Sequence, residues 1–555
     1  MTDTAELVFC PLGGVGEIGM NMGLYGFGPA KSRIWLMVDC GVSFAGPDLP
    51  GIDLIFPDIR FIEGERKNLA GIVITHAHED HYGALMDLWP RLQAPLYVTP
   101  FTAGLLKAKV YGHGGLDIPV NVVEQGARFD VGPFDIELVA MSHSIPEPTA
   151  LAIRTKLGTV LHSGDWKIDP QPGIGKPIDL KRLGEIGGEG VLALVSDSTN
   201  AVREGVSPSE ADVAKSLTEI IRGAKHRVAV TTFASNVARL KSVALAAEEC
   251  DRDVVVIGRA MKRTVDVATE LGYMEGVKPF LDEEAYGYLP RDKVLALCTG
   301  SQGEARAALA RIAGDDHRSI TLNSGDMVIF SSRTIPGNER AVNSIINSLV
   351  ADGINVVTDR DGLVHVSGHP RLGEMQELYG LIRPQIAVPV HGEALHLAAH
   401  ARFARKQGVK TVLSGYNGTV LRLAPGKPEA IAEVPVGRLV MDGTMLVAPE
   451  VSGVAERRRL SFAGVVIASV VLDKAGNFVA DTEVAVLGLP DVDAEGDDFE
   501  DVIVDAIEGA VESIPRKRRK DPELVREAAR RAARAAVVQR WGKKPVCKIL
   551  VSVID

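Results

Sequence analysis

The chain has 555 residues, 46% hydrophobic and 24% charged, with a formal net charge of −11. That length corresponds to roughly three to four domains, and the balance excludes a largely disordered or collagen-like chain. No run approaches the roughly 18 apolar residues of a membrane span, so no membrane contact is expected. Acids in residues 1–6 stand where a secretion signal carries basic residues. The five cysteines (Cys10, Cys40, Cys250, Cys298, Cys547) form no CxxC pair and suit buried thiols in a reducing, cytoplasmic setting. The negative total does not exclude a nucleic-acid partner, because phosphate affinity follows local basic patches. Acids gather at 491–501 and bases at 457–459 and 516–520, all reading as solvated surface.

Residues 5–208 read as short strands joined by Gly/Pro-rich turns, with strands expected at 34–39, 71–75, 134–140, 159–162 and 191–196. A helix follows His81, with Leu85, Leu88, Trp89 and Leu92 at helical spacing. The texture changes at Ser207-Pro208-Ser209-Glu210, where Ser209 is a natural N-cap for a helix through Ile221. Strands at 227–233, 253–257, 294–298 and 327–331 then alternate with helices, which predicts a parallel α/β sheet. The carboxyl ends of three of these strands carry polar loops at 231–236, 299–304 and 331–333. Each reads as running straight into a helix N-terminus, a rim suited to phosphate. From 372 to 445 come a helix, a strand at 385–390, another helix and more strands. A Gly/Arg-containing connector spans 446–460. The last part predicts strands at 460–471 and 478–489, an acidic loop, two helices and a strand at 546–553: a small α+β domain without a histidine. It reads as an assembly module or as part of a substrate path.

The strongest chemical signal is Thr75-His76-Ala77-His78-Glu79-Asp80-His81 at a strand end. On extended backbone His76 and His78 project to one side. Asp80 and His81 can then enter the same cavity from the following helix. Four imidazole and carboxylate groups exceed what one tetrahedral zinc takes alongside a water, so two metals are expected. Further ligands stand just after strands: His143, Asp165 and His391, with Asp165 the natural bridge between two ions. Other features read blandly. Gly14, Gly16 and Gly19 spell a dinucleotide fingerprint, but no helix pattern follows them. His396 and His400 are spaced like metal ligands on a helix yet read as packing or surface residues, and His113, His226 and His317 have no evident partners.

These motifs resemble the metallo-β-lactamase superfamily, with Asp39 matching its first-motif aspartate behind the ligands. The α/β segment inserted between the bridging Asp and the final His narrows the resemblance to the β-CASP nucleases. Asp197 in Ser196-Asp197-Ser198-Thr199-Asn200 is similar to their motif A, His369 in His365-Val366-Ser367-Gly368-His369 to motif B, and His391 to motif C of the RNA-processing branch. With the N-terminal glycine loop and the stretch 330–339, the whole chain resembles the bacterial ribonuclease J family.

The resemblance implies an α/β fold: a metallo-β-lactamase αβ/βα sandwich (1–208 and 372–445), an inserted β-CASP α/β domain (209–371), a linker (446–460) and a C-terminal α+β domain (461–555). It assigns two zinc ions, one to His76, His78 and His143 and the other to Asp80, His81 and His391, with Asp165 bridging. The expected activity is hydrolysis of RNA, cutting internally and trimming from a 5′-monophosphate end. His369 is the candidate acid or a substrate-orienting group, Asp197 orients the site, and Asp80 completes the catalytic set. Phe233, Ser235, Asn236, Ser331, His365, Val366, Ser367, Gly368 and His369 are expected to cradle RNA, and a homodimer built partly through 460–555 is implied. The competing readings are a small-molecule hydrolase on the same core and a catalytically dead scaffold.

Overall fold

The computed structural model describes residues 4–110, 117–335 and 337–554, so His113, Pro336 and the first three residues lie outside the described residues. The chain divides into two compact units, 1–43 with 56–438 and 44–55 with 439–555.

The first unit is built around two facing sheets. One runs in the order Glu429–Glu433, Thr419–Ala424, Glu6–Gly13, Met22–Gly28, Ile34–Val38, Leu69–Val73, Leu96–Val98 and Val120–Val122. The other runs Thr411–Val412, Ile386–Val390, Ala193–Asp197, Gly158–His162, Thr149–Thr155, Phe134–Ala140 and Arg128–Val131. Between them Leu7, Phe9, Tyr25, Leu36 and Val73 pack against Phe134, Ile136, Leu151, Val160, Val195 and Val388. The opposite face of the second sheet is also covered. Val139, Ala152, Leu161 and Leu194 meet Leu183, Ile186, Met375, Leu378 and Ile382 from the helices Leu180–Glu189 and Leu372–Ile382. Cover on both faces is why these strands read as continuous apolar runs and not as alternations.

The inserted segment is a five-stranded, wholly parallel sheet in the order Asp253–Ile257, Val294–Cys298, Val228–Thr231, Met327–Phe330, Asn355–Val357. Its first helix, Glu210–Gly223, starts at the expected N-cap: Ser209 Oγ accepts from Asp212 N while Asp212 accepts from Ser209 N. The three polar loops do lie at one edge of this sheet, but only the first runs directly into a helix, Val237–Glu249. The other helices begin at Ala308 and Glu339, several residues beyond the loops, so the continuous rim of helix N-termini is corrected.

The two crossings into and out of the insertion run side by side, with Leu372 N donating to Arg203 O and Gly373 N to Gly205 O. Glu374, 2% exposed, fastens them. Its carboxylate accepts from Ile168 N (3.0 Å), Ser207 N (3.0 Å), Ser207 Oγ (2.9 Å) and Arg371 N (2.9 Å). Glu374→Gln would turn an amide donor toward these N–H groups, and a buried mismatch of this kind costs about 1–3 kcal/mol. A measurably lower melting temperature by circular dichroism is expected, and an unchanged one would exclude the clamp.

In the second unit a three-stranded sheet, Glu483–Leu487, Val465–Asp473 and Val546–Ile554, carries the helices Phe499–Ser513 and Pro522–Trp541 on one face. Val466, Ala468, Val470 and Leu472 pack there against Ile503, Ile507, Val525 and Ala529. Two expectations are corrected. The stretch read as a connector and strand start contains the helix Val454–Ala463, whose charged run favours helix and which Gly464 ends at φ 65°. The strand expected at 478–489 is Glu483–Leu487, since Phe478 makes only an isolated bridge to Leu472. All five cysteines are free thiols. Among the described residues no helix is long and apolar enough to cross a membrane.

Candidate metal centre

The site lies where strands end. Gly158–His162, Ala193–Asp197 and Ile386–Val390 are parallel neighbours, so Asp165, Asp197 and His391 emerge at one edge. In the facing sheet Ile34–Val38 and Leu69–Val73 are likewise parallel and deliver Asp39, His76 and His78, with His81 on the short helix Glu79–Tyr82. His143 follows Phe134–Ala140. Apart from His78 and Asp80 these side chains are buried.

Among the described residues three overlapping groups form here, each with its ligand atoms within 4.8 Å of one another: His76, His78, His143 and Asp165; Asp80, His81, Asp165 and His391; and Asp165, Asp197, His369 and His391. The first two are the sets expected from the sequence. Asp165 Oδ2 stands at their centre, 3.8 Å from His76 Nε2, 3.7 Å from His143 Nε2, 3.2 Å from His81 Nε2 and 3.4 Å from His391 Nε2. His78 Nδ1 lies 3.1 Å from His76 Nε2 and 3.0 Å from His143 Nε2. His81 Nε2 and His391 Nε2 lie 3.6 and 3.8 Å from Asp80 Oδ2.

The hydrogen bonds behind the site fix which nitrogen faces inward. Asp39 accepts from Thr75 N (2.8 Å) and from Thr75 Oγ1 (2.9 and 3.0 Å). With its only proton directed at Asp39, the threonine hydroxyl must accept from His76 Nδ1 at 3.0 Å, which leaves His76 Nε2 bare. His81 Nδ1 donates to Asp39 Oδ2 at 2.7 Å. One carboxylate thus orients an imidazole in each group. His143 Nδ1 donates to the carbonyl of Gly368 at 2.6 Å, so its Nε2 is bare as well.

These residues fit divalent cations. The bare Nε2 atoms of His76 and His143 converge on His78 Nδ1 at 3.1 and 3.0 Å, and both ring nitrogens of buried His391 lack a hydrogen bond. Burial and neighbouring imidazoles hold His76 and His143 well below the ordinary histidine range, and burial brings His78 to about 3, so all three are neutral ligands at neutral pH. Burial opposes charge on His81 too, but the Asp165, Asp80 and Asp39 carboxylates outweigh it and raise that group. Nitrogen and carboxylate donors of this kind suit zinc-type metals.

Beside the two groups, His369 Nδ1 meets Asp197 Oδ2 at 2.8 Å and lies 3.8 Å from Asp165 Oδ2. Burial disfavours the imidazolium, but Asp197 and Asp165 outweigh it and raise His369 to about 9. Asp197 Oδ1 accepts from Thr199 N.

The RNA-facing set divides. Phe233, Ser235, His365 and Ser367 are partly exposed. Four other expected contacts are buried, three of them with polar groups engaged internally. Ser331 is fully buried, its Oγ donating to Val364 O and accepting from Arg239 Nη1. Asn236 is 1% exposed and its Oδ1 caps the helix at Arg239 N. The Val366 side chain is in the core of the insertion. Gly368 gives its carbonyl to His143 and lies so close that a Cβ there would stand 2.4 Å from the His143 ring.

Sequence reasoning missed Asn21, whose Nδ2 bonds Asp80 O at 3.1 Å and meets His81 Nε2 at 3.1 Å. It also missed Asn200, which donates to Ser367 Oγ and His369 O. Asn21 carries no local signal, and Asn200 closes the Ser196–Asn200 motif without standing out within it. The glycine loop leads into the strand Met22–Gly28, as expected for a chain without a dinucleotide helix there. His400 is buried between Ser198 Oγ and Tyr379 OH, both at 2.8 Å, and is a packing residue.

Family models match in four places: the metallo-beta-lactamase superfamily at 31–258, the ribonuclease J beta-CASP domain at 225–349, a Zn-dependent metallo-hydrolase RNA specificity domain at 353–414, and the ribonuclease J C-terminal domain at 452–554. The chain is 57% identical over 553 residues to a ribonuclease J of Sinorhizobium meliloti, covering 100% of this chain and 98% of that protein. It is 39% identical over 548 residues to one of Mycolicibacterium smegmatis, covering 98% and 96%. A crystal structure of a protein of unknown function from Enterococcus faecalis superposes with a TM-score of 0.51 at 15% identity, over 75% of this chain and all of that one, which bears on the fold alone. With end-to-end likeness to these nucleases and a buried cluster of metal-type ligands at the strand ends, the chain belongs to the ribonuclease J family and is a metal-dependent enzyme acting on RNA.

Proposed function

We propose that the chain holds two zinc ions, one on His76, His78 and His143 and one on Asp80, His81 and His391, with Asp165 shared, and that it hydrolyses RNA to products with 5′-phosphates. When bound, such a pair lowers the pKa of a water and steadies the oxygens of an in-line attack on phosphorus. The protein does the rest. Asp39 and Gly368 O hold the imidazoles in their ligating tautomers. Asp197 holds His369 by Nδ1 and favours its charged form, so the proton that His369 gives a leaving 3′-oxygen comes from Nε2. Phe233 and Ser235, at the insertion's sheet edge, and His365 and Ser367, on its return, contact the RNA, the insertion running 209–371. The observation that carries this reading is Asp165 common to both ligand groups, with His369 3.8 Å away.

The enzyme is proposed to work from a 5′-monophosphate end as well as internally. The test is a 3′-labelled RNA carrying a 5′-monophosphate or a 5′-triphosphate, with and without chelator. Chelator-sensitive decay, faster for the monophosphate, is expected. Equal rates would exclude the 5′-end preference, and no cleavage by metal-loaded protein would exclude the activity. Native mass spectrometry should count two zinc ions per chain.

A homodimer through the C-terminal domain is supported by that domain's open sheet face. Ile467, Leu487 and Leu550 point away from its helices and are 38%, 62% and 52% exposed. Leu550→Lys is expected to shift the dimer to monomer in size-exclusion chromatography with light scattering, and an unchanged dimer would place the interface elsewhere.

A further inference from the structure

We propose that Asn200 is a positioning residue that makes Ser367 an obligate hydrogen-bond donor, and so sets this point of the cleft to take a phosphate oxygen. The proposal rests on the reading of Ser367 as a phosphate contact.

Asn200 follows the strand Ala193–Asp197 and is 6% exposed. Its Nδ2 lies 3.1 Å from the carbonyl oxygen of His369 and 2.9 Å from Ser367 Oγ. A carbonyl oxygen can only accept, so the carboxamide must present its nitrogen there, and the amide orientation follows. With one N–H directed to His369 O, the other goes to Ser367 Oγ, which therefore accepts. His369 N donates to the same oxygen at 3.3 Å.

A serine hydroxyl has two lone pairs and one proton. Both lone pairs of Ser367 are filled by these donors, so only its O–H remains to be used. Such a hydroxyl suits an anionic oxygen and cannot receive a hydrogen bond from a base N–H or a ribose 2′-OH. Ser367 is half-buried, leaving that proton a route to substrate. Asn200 is thereby the link through which the loop after Asp197 controls the chemistry of the returning segment.

The test compares the parent enzyme with Asn200→Ala, Ser367→Ala and the double variant on a 5′-monophosphorylated RNA oligomer, with thermal melting of each. Losing a hydrogen bond to a charged oxygen should raise KM about tenfold for Ser367→Ala, and Asn200→Ala, which frees the hydroxyl to turn its proton elsewhere, should raise KM in the same direction but by less. The kcat of Ser367→Ala should stay within about twofold, since ground-state and transition-state binding are lost together. The double variant should be no worse than Ser367→Ala alone, because Asn200 acts through Ser367. Isosteric Asn200→Asp should raise KM further than Asn200→Ala, because its carboxylate captures the Ser367 proton; this arm decides the matter if the alanine variant does not fold. An unchanged KM for Ser367→Ala would overturn the phosphate contact and the inference with it. A raised KM for Ser367→Ala with Asn200→Ala unaffected, or an Asn200→Ala penalty that persists undiminished on the Ser367→Ala background, would overturn the Asn200 role alone.

Discussion

Asp165→Ala should lower RNA cleavage by at least about a thousandfold, because the carboxylate is the one donor common to both ligand groups, and metal-borne stabilisation is worth several kcal/mol. Four imidazole nitrogens lie 3.2–3.8 Å from its Oδ2. Without the carboxylate each group keeps three protein donors, His76, His78 and His143 or Asp80, His81 and His391, and no shared donor holds the two together. The carboxylate is also strongly held in its charged form: burial works against ionisation, but His391 and His81 outweigh it and keep Asp165 well below the usual carboxylate range. Metal content by mass spectrometry should fall together with activity, while RNA binding by the insertion persists. Cleavage within tenfold of the parent enzyme would mean that the two groups do not depend on a shared ligand.

Gly41→Ala should be comparably damaging, for a reason unrelated to ligand chemistry. A Cβ at Gly41 would lie 1.7 Å from the carbonyl oxygen of Asp80 and 2.7 Å from the nitrogen of His81. Both are backbone atoms and cannot swing aside. The segment is laced in place around them: Cys40 N donates to His81 O, Gly41 N to Asn21 O, Val42 N to Glu79 O and Asn21 N to Asp80 O. Any relief moves Asp80 and His81 or moves the neighbouring Asp39, and each shift spoils the second ligand group. Loss of about a hundredfold or more in activity is expected, since displacing a group that hydrogen-bonds a ligand costs about 10–100-fold and here ligands move too. Gly64→Ala is the control. Nothing lies within 4 Å of a Cβ there, so melting and cleavage should match the parent. Parent-like cleavage by Gly41→Ala would show that the backbone can relax without moving Asp80 and His81.

The ligand set was legible because metal chemistry is written locally. His76, His78, Asp80 and His81 fall within six residues, and His143, Asp165 and His391 each follow an apolar strand, so residue type and strand position together name them. The parallel sheet of the insertion was legible for a similar reason: apolar runs alternating with capped helices are local patterns, as Ser209 and the helix it starts demonstrate. The C-terminal strands were less so. The segment before Gly464 has charge and propensity for helix but sits beside a β-branched run, and only the turn at Gly464 separates them.

By itself, then, the sequence pointed to the fold class through a family resemblance, showed the strand–helix alternation and marked the seven residues that gather as metal-type donors. The tertiary structure alone decided the supporting shell. Ser331 and Asn236 have the look of phosphate contacts, yet Arg239 and a helix end claim them in the interior. Asn21 meets His81 across 60 positions, Gly368 accepts from His143 across 225, and Asn200 meets Ser367 across 167. A hydrogen bond between residues so far apart leaves no spacing or periodicity in the chain. Which polar group is free to meet a ligand is settled only when packing has fixed every other partner.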